Sequence, residues 1–142
     1  MATDTRTADI DAQLLQEAVG EAARLLESDG AMIYLYEEAS GELRFAYDAG
    51  VASDEALQML RDLRLPLGRG VYGSALSRGQ LLYTDDYTAD TAFAHHPVAD
   101  RIVNAANMRS MAAAPMFADQ KPLGVLGVFS NEPRACSSRM AR

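Results

Sequence analysis

The side chains with the clearest potential for chemistry are two adjacent histidines, His95 and His96, the only histidines of the chain. An imidazole can ligate a metal ion or act as a general base. As a metal site the pair is weak, because adjacent side chains on a helix diverge and no third His or Cys follows at a usable spacing. As bases they lack an evident nucleophile, for which Ser74 and Ser77 are only candidates. The pattern favours a polar pair that caps, or hydrogen-bonds to, the following helix.

A second motif, Gly68-Arg69-Gly70-Val71-Tyr72-Gly73, has the G-x-G-x-x-G spacing of dinucleotide-binding loops. That function needs a strand before the motif, a long helix after it and an acidic residue about 20 positions further on. Here Pro66 interrupts the preceding strand, Gly79 limits the helix to about two turns, and Asp85 and Asp86 come too early. We therefore interpret the glycines as residues that permit positive φ and a tight turn into a helix.

Composition excludes several classes of partner. The net charge of -7 at pH 7 argues against non-specific nucleic-acid binding and against docking on an anionic membrane. The single cysteine, Cys136, allows neither an internal disulfide nor a metal site of several thiolates. The first residues lack the pattern of a signal peptide, and no apolar run is long enough to cross a bilayer. Together these features predict a soluble, cytoplasmic protein without nucleic-acid or membrane partners.

Hydrophobic periodicity predicts the elements that must position these residues. Residues 9–27 have the apolar spacing of an amphipathic helix. Its stripe consists of Ile10, Leu14, Ala18, Ala22 and Leu25, widened by Leu15, Val19 and Leu26. Residues 31–37 are apolar on both faces, which predicts a central strand, and Ser40-Gly41 turns the chain into a second strand. In that second strand Leu43, Phe45 and Tyr47 alternate with Arg44 and Ala46.

The rest of the chain continues the alternation of helices and strands. Ser53 is a predicted N-cap, and Pro97 suits the first turn of a helix that runs to about Asn107. A short strand is expected at residues 81–84, and a hairpin at residues 110–130 turns through Asp119-Gln120-Lys121. The predicted order is α-β-β-α-β-α-β-α-β-β. This indicates an α+β fold, with an antiparallel sheet of five or six strands and helices on both sides.

The predicted boundaries leave one domain with short ends. We expect a disordered N-terminus at residues 1–8, one domain at residues 9–131 and a disordered tail at residues 132–142. The tail has no apolar periodicity. It is either the end of a fragment with vector-derived residues or a natural early end.

Residues 65–129 carry a family resemblance. The stretch joins Leu65-Pro66-Leu67-Gly68-Arg69-Gly70-Val71-Tyr72-Gly73, Phe93-Ala94-His95-His96-Pro97, Asp100-Arg101, Met108-Arg109-Ser110-Met111 and Pro122-Leu123-Gly124-Val125-Leu126-Gly127-Val128-Phe129. In this order and spacing it resembles a GAF domain, a sensory module of signalling proteins. The resemblance implies a GAF/PAS-like fold and a non-catalytic, small-molecule-sensing role in signal transduction. It also implies an output domain in the full-length protein, which we expect to be a sensor histidine kinase.

The resemblance also implies where a ligand binds. The pocket is expected between the sheet and residues 65–107. The expected ligand-binding residues are Val71, Tyr72, Tyr83, Phe93, His96, Met108, Met111 and Ala113. The small side chains of residues 112–114 leave room either for a ligand or for a closely packed helix.

Two alternatives remain open. The Phe93-Ala94-His95-His96-Pro97 segment is similar to the one that supplies the haem histidine in haem-binding GAF domains of mycobacterial sensor kinases. On that resemblance His96 would be the proximal haem ligand and so the only metal-binding residue, although residues 98–107 are longer here than in those sensors. The other alternative is a pure dimerisation module. In both cases the helix at residues 9–27 is expected to form a homodimer, because its usual C-terminal partner helix is absent from the sequence.

An enzyme is not expected. Free methionine sulfoxide reductases share the GAF fold but use several cysteines, and bilin-binding GAF domains carry their cysteine in the middle of the domain. Cys136 follows the last predicted strand and suits neither role.

Overall fold

The structure, a computed structural model, describes residues 5–133, with side chains described from residue 12 onward. Its elements follow the predicted order and are α1 (Thr5–Leu25), β1 (Gly30–Glu37), β2 (Glu42–Ala49), α2 (Asp54–Asp62), β3 (Arg64–Pro66), α3 (Gly70–Arg78), β4 (Leu82–Thr84), α4 (Pro97–Ala105), β5 (Ser110–Ala118) and β6 (Lys121–Ser130). The first helix begins at Thr5, four residues before the start of the predicted range 9–27. Most of the expected tail at residues 132–142, including Cys136, lies outside the described residues.

The strands form one six-stranded antiparallel sheet in the order β3-β2-β1-β6-β5-β4. The two central strands are β1 and β6, and β1 is apolar on both faces. This confirms the α+β prediction and the central position of residues 31–37. The short strands β3 and β4 are the two edge strands of the sheet.

The two faces of β1 serve two separate cores. Met32 and Tyr34 belong to the inner core, beneath α2, α3 and α4, whereas Ile33 belongs to the outer core, beneath α1. The expected alternation in β2 is interrupted. Tyr47 packs in the outer core although Phe45 packs in the inner one, because a bulge shifts the register between Ile33 and Tyr34. A bulge inserts one extra residue and so reverses the faces of the residues beyond it.

Helix α1 covers the outer face with a stripe that differs from the expected one. Val19 is fully buried, and Leu15, Ala22 and Ala23 pack around it against the sheet. Leu14 and Leu25, which were expected to lead the stripe, are 57% and 65% exposed. Periodicity alone did not resolve which of two adjacent apolar rows faces the sheet. The side chain of Ile10 lies outside the described ones.

Local signals in the sequence set the ends of the inner helices. Ser53 caps α2 by accepting a hydrogen bond from the amide of Ala56 at 3.0 Å. His96 caps α4, and Pro97 occupies its first turn. Both caps were predicted, and they satisfy amide groups that a helix N-terminus leaves unpaired. Within the described part of the chain, no helix is long and apolar enough to span a membrane.

Candidate ligand-binding pocket

A small enclosed cavity lies between the inner face of the sheet and the segment from α2 to α4. Its volume is about 30 Å³. It is lined by Met32, Tyr34, Leu63, Leu65, Gly70, Val71, Tyr72, Tyr87, Ala99, Ile102, Val103, Met108 and Met111. Among the described residues this lining contains no charged side chain. Its polar groups are tyrosine hydroxyls, and three thioethers form much of its floor.

Tyr87 forms part of the cavity wall and carries an unsatisfied hydroxyl. The residue is 3% exposed, and its Oη has no hydrogen-bond partner of normal geometry in the described part of the chain. A methyl group built on Gly70 would lie 3.6 Å from that oxygen, so the hydroxyl points toward a residue of the cavity lining. Burial, then the negative charge of Asp100 and then the approach of its carboxylate to the hydroxyl, raise the pKa of Tyr87. That approach lies outside normal hydrogen-bond geometry. The phenol therefore stays protonated and keeps an O–H to donate.

His95 ties the loop that carries Tyr87 to helix α4. Its ring stacks on Tyr87 with centroids 4.5 Å apart. Its Nδ1 lies 3.0 Å from Oδ1 of Asp100, on α4, and its Nε2 lies 2.7 Å from the carbonyl oxygen of Asp90, in the loop. The hydrogen bond to Asp90 is the largest cause of a raised pKa of His95, and the Asp100 carboxylate adds to it against the effect of desolvation.

A bidentate ion pair fixes the start of the same loop. Arg109 donates from Nε and Nη2 to the Asp86 carboxylate at 3.1 and 2.7 Å. The hydrogen bond from Arg109 lowers the pKa of Asp86 to about 2. The backbone amide of Tyr87 also donates to the carbonyl of Arg109 at 2.7 Å. The wall of the cavity is therefore held from β5 on one side and from α4 on the other.

The glycine motif forms the tight turn that leads into α3. Gly68 and Gly70 have φ of 86° and 65°, values that favour glycine. A Cβ on Gly73 would lie 2.6 Å from the carbonyl oxygen of Pro66, so only glycine allows α3 to approach β3 this closely. The antiparallel topology excludes the doubly wound nucleotide-binding fold, as the sequence indicated.

The structure brings four of the expected site residues together. Val71, Tyr72, Met108 and Met111 all line the cavity. Phe93 is buried in the inner core, where the Arg78 guanidinium lies 5.8 Å from its ring centre, but it is not part of the lining. Ala113 is fully buried on β5, against which α3 packs, so its small side chain accommodates a helix.

Tyr83 and His96, which were also expected to bind the ligand, lie outside the cavity lining. Tyr83 pairs with Ala112 and so points to the outer face, while its neighbours Leu82 and Thr84 pair with inner-face residues. It is 54% exposed. His96 uses Nδ1 to accept the amide of Val98 at 3.2 Å, which is the capping role expected for the histidine pair.

Sequence reasoning missed several lining residues, above all Tyr87. Residues 85–90 have the composition of a polar loop, and Tyr87 is the aromatic residue between its aspartates. A lone large aromatic side chain in a polar loop was the available signal, because exposing it would be unfavourable. Ile102 and Val103 were predicted only to lie in a helix. The sequence of so short a helix does not show which of its residues face the cavity.

Gly127 lets the Tyr72 ring reach the sheet. A Cβ at this position would lie 1.9 Å from Cε1 of Tyr72. Tyr72 in turn packs on Tyr34 at a centroid distance of 4.9 Å. The position of one cavity wall therefore depends on a missing side chain in β6.

The chain resembles a known family in sequence and several solved proteins in structure. Residues 11–142 match the family model described as GAF domain. No curated protein sequence matches. The GAF domain of the phosphoenolpyruvate-protein phosphotransferase from Acinetobacter is 19% identical with a TM-score of 0.67, covering 92% of this chain and 74% of that one.

Two further structures share the fold. The free methionine-R-sulfoxide reductase from Neisseria meningitidis, solved with its substrate, is 22% identical with a TM-score of 0.67 and covers 91% of this chain and 70% of that one. NreA from Staphylococcus aureus, mutated in its nitrate-binding site, is 19% identical with a TM-score of 0.70 and covers 88% of each chain. At these identities the likeness shows the fold alone.

Proposed function

The chain belongs to the GAF domain family, a family of regulatory small-molecule-binding modules of signalling proteins, and we propose that it senses a small ligand in the cavity beneath α3 and α4. Its role is regulatory and not catalytic. In the full-length protein it would control an output domain, for which a sensor histidine kinase is our first expectation. A domain of a putative two-component sensor histidine kinase from Sinorhizobium meliloti has the same fold, at 12% identity and a TM-score of 0.64.

One observation carries this proposal: the enclosed apolar cavity with the Tyr87 hydroxyl in its wall. Ligand pockets are mostly apolar and contain a few placed polar groups that orient the ligand. A volume of about 30 Å³ holds water-sized molecules, so a larger ligand has to displace the wall. The loop at residues 85–96 contributes Tyr87 to the wall and contains no helix or strand, and its displacement would be the conformational response.

The geometry argues against haem as that ligand. A neutral imidazole that accepts a hydrogen bond at Nδ1 carries its proton on Nε2, and His96 accepts at Nδ1. Neither ring nitrogen then has a lone pair for iron unless the cap breaks. His96 is also absent from the cavity lining, and the cavity is far smaller than a macrocycle. An absorption spectrum recorded after hemin addition tests this. A Soret band that appears in the wild type and is lost in His96→Ala would support haem binding, and we expect no such band.

Reductase activity is not part of the proposal, although two similar structures are free methionine-R-sulfoxide reductases. Such enzymes use several cysteines, and this sequence has only Cys136. Among the described residues no group of His, Cys, Asp or Glu side chains could hold a metal ion either.

A second candidate function is dimerisation without a ligand. Leu14 and Leu25 lie about three turns apart on α1 and are exposed on the side away from the sheet. Exposed apolar rows on a helix favour an interface. We propose that α1 forms a homodimer in either case, and that the cavity decides whether the dimer also senses.

A thermal-shift screen separates the two functions, with Ala99→Leu as a variant whose cavity is filled. A true ligand should stabilise the wild type and leave Ala99→Leu unchanged. Binding at 100 times Kd adds about 2.7 kcal/mol to the free energy of unfolding. If no compound discriminates between the two proteins and Ala99→Leu is the more stable, the cavity is a packing defect and the dimerisation function remains.

A further inference from the structure

The chemistry of the cavity wall restricts which molecules it can accept. Anions need a cation or several donors when they leave water, and an unpaired buried charge is far more costly than a neutral polar group. The described cavity lining has no Lys, Arg or His. The nearby arginines are engaged elsewhere, because Arg109 pairs with Asp86 and Arg69 donates to the backbone carbonyl of His95.

The charges near the cavity also have the wrong sign for an anion. Asp100 lies close enough to Tyr87 to raise the pKa of its phenol. The Asp90 carboxylate accepts from Thr84 at 2.6 Å on the far side of the same loop. A cation is disfavoured as well, because none of the described lining residues is a carboxylate.

Two tyrosine hydroxyls of the lining, those of Tyr34 and Tyr87, are the hydrogen-bond donors that bear on the choice of ligand. Tyr34 directs its hydroxyl to Sδ of Met32 at 3.9 Å, a weak acceptor. Tyr87 is 3% exposed and its hydroxyl has no partner of normal geometry among residues 5–133. The nearby Asp100 carboxylate does not satisfy this donor with normal geometry. A buried donor that is poorly paired is unfavourable, so a ligand that places an acceptor in good geometry gains from the hydrogen bond.

The rest of the cavity lining is apolar and suits an apolar ligand. Met32, Met108 and Met111 contribute flexible, polarizable side chains that adapt to different shapes and contact aromatic rings favourably. Leu63, Leu65 and Ile102 complete an aliphatic wall.

Resting on the sensing function proposed above, we propose that the cavity takes an uncharged, largely apolar molecule with one hydrogen-bond acceptor for the Tyr87 hydroxyl, and that it excludes carboxylates and phosphates. The ligand class is that of small ketones, esters and neutral aromatic carbonyl compounds. Anionic metabolites and cyclic nucleotides fall outside it.

Methionine methyl groups report on binding inside the cavity. With 13C-methyl methionine, Met32, Met108 and Met111 should shift on titration, while Met59 and Met116, which are not in the lining, serve as internal controls. The probes are matched series of increasing size: acetone, cyclopentanone and acetophenone; acetate, cyclopentanecarboxylate and benzoate; and ethylbenzene as the hydrocarbon without an acceptor. At pH 7 the carboxylates are ionised.

We expect ketones to shift the cavity methionines and carboxylates of the same size to leave them unchanged. Tyr87→Phe should weaken ketone binding about 2- to 10-fold, the value of one hydrogen bond, and leave ethylbenzene binding unchanged. Ile102→Val removes one methylene from the wall at small cost to stability and should admit larger ketones.

Three results would overturn the proposal in different ways. Carboxylates that shift the cavity methionines as strongly as ketones would refute the ligand class while leaving the sensing function intact. Ketone binding that Tyr87→Phe does not alter, and that ethylbenzene equals, would refute the role of Tyr87. If no probe shifts these methionines in either the wild type or Ile102→Val, the ligand class is refuted, and the thermal-shift comparison of the wild type with Ala99→Leu decides separately whether the cavity senses any ligand.

Discussion

At the scale of single residues, His95 is the group whose protonation matters most for the cavity wall. Both of its ring nitrogens face acceptors, the Asp100 carboxylate and the Asp90 carbonyl. Only the imidazolium can donate from both nitrogens, so the folded state favours the charged form. Tyr87 stacks on the ring, and the Arg69 guanidinium reaches only the backbone carbonyl of His95.

This arrangement predicts a pH dependence of stability. Because the folded-state pKa of His95 is raised, its contribution is fully present below the unfolded value of about 6.5 and is lost as the pH rises through the higher folded value. The urea midpoint should therefore fall between pH 6 and pH 8.5. His95→Gln should flatten that decline, whereas His96→Asn, which retains a capping acceptor, should not. Equal slopes in the wild type and His95→Gln would contradict the assignment.

Gly127 offers a second test at this scale. Gly127→Ala places a methyl group on the Tyr72 ring, and we expect a loss of about 1–3 kcal/mol in the free energy of unfolding. The Met111 methyl signal should move as well, because Tyr72 and Met111 share the cavity. Gly20→Ala is the control: nothing lies within 4 Å of its new Cβ on α1, so it should stabilise by about 0.5–1 kcal/mol. A neutral Gly127→Ala would show that Tyr72 is free to move.

At the scale of elements, the β5–β6 hairpin turns through two residues that are not glycine. Asp119 and Gln120 have φ of 51° and 68°, the geometry of a type I′ turn. Gln120→Gly should therefore stabilise the protein, by about 0.5–1 kcal/mol in urea unfolding. The same substitution at Gln13, in the exposed part of α1, should cost about 1 kcal/mol. Equal effects at the two sites would mean that the turn carries no strain.

The elements also show where sequence reasoning reaches its limit. The two-sided apolar run in β1, the N-cap Ser53 and the first-turn residue Pro97 were enough to place strands and helices. Faces were harder. The bulge after Ile33 reversed Tyr47, and the pairing of β4 with β5 turned Tyr83 outward. Both depend on register with a distant strand, which the local pattern does not contain.

At the scale of the whole molecule, the fold was predictable and the cavity only in part. The order of elements and the family resemblance gave the antiparallel sheet and the segment above it. Four of the residues proposed to bind a ligand, Val71, Tyr72, Met108 and Met111, line the cavity together, whereas Tyr87 was not among the proposed residues. A cavity is the space left by packing residues far apart in sequence, so its full lining follows only from their positions in three dimensions.

The exposed row on α1 makes a prediction at the same scale. Light scattering on a sizing column should give a mass near twice 15.3 kDa for the wild type. Leu14→Glu should shift the equilibrium toward the monomer, because it places a charge in the proposed interface. Leu81→Glu, at a comparably exposed leucine before β4, should leave the dimer intact. A wild-type protein of 15.3 kDa alone would refute the dimer.

The sheet separates the cavity from α1 by the thickness of one backbone layer. Met32 on β1 lines the cavity, and its chain neighbour Ile33 belongs to the core beneath the helix. Helix α1 packs mainly on β1 and β2. A ligand that displaces Met32 would therefore act on the strand that supports α1, and a tilt of β1 would be the shortest route for a signal from the cavity to the helix.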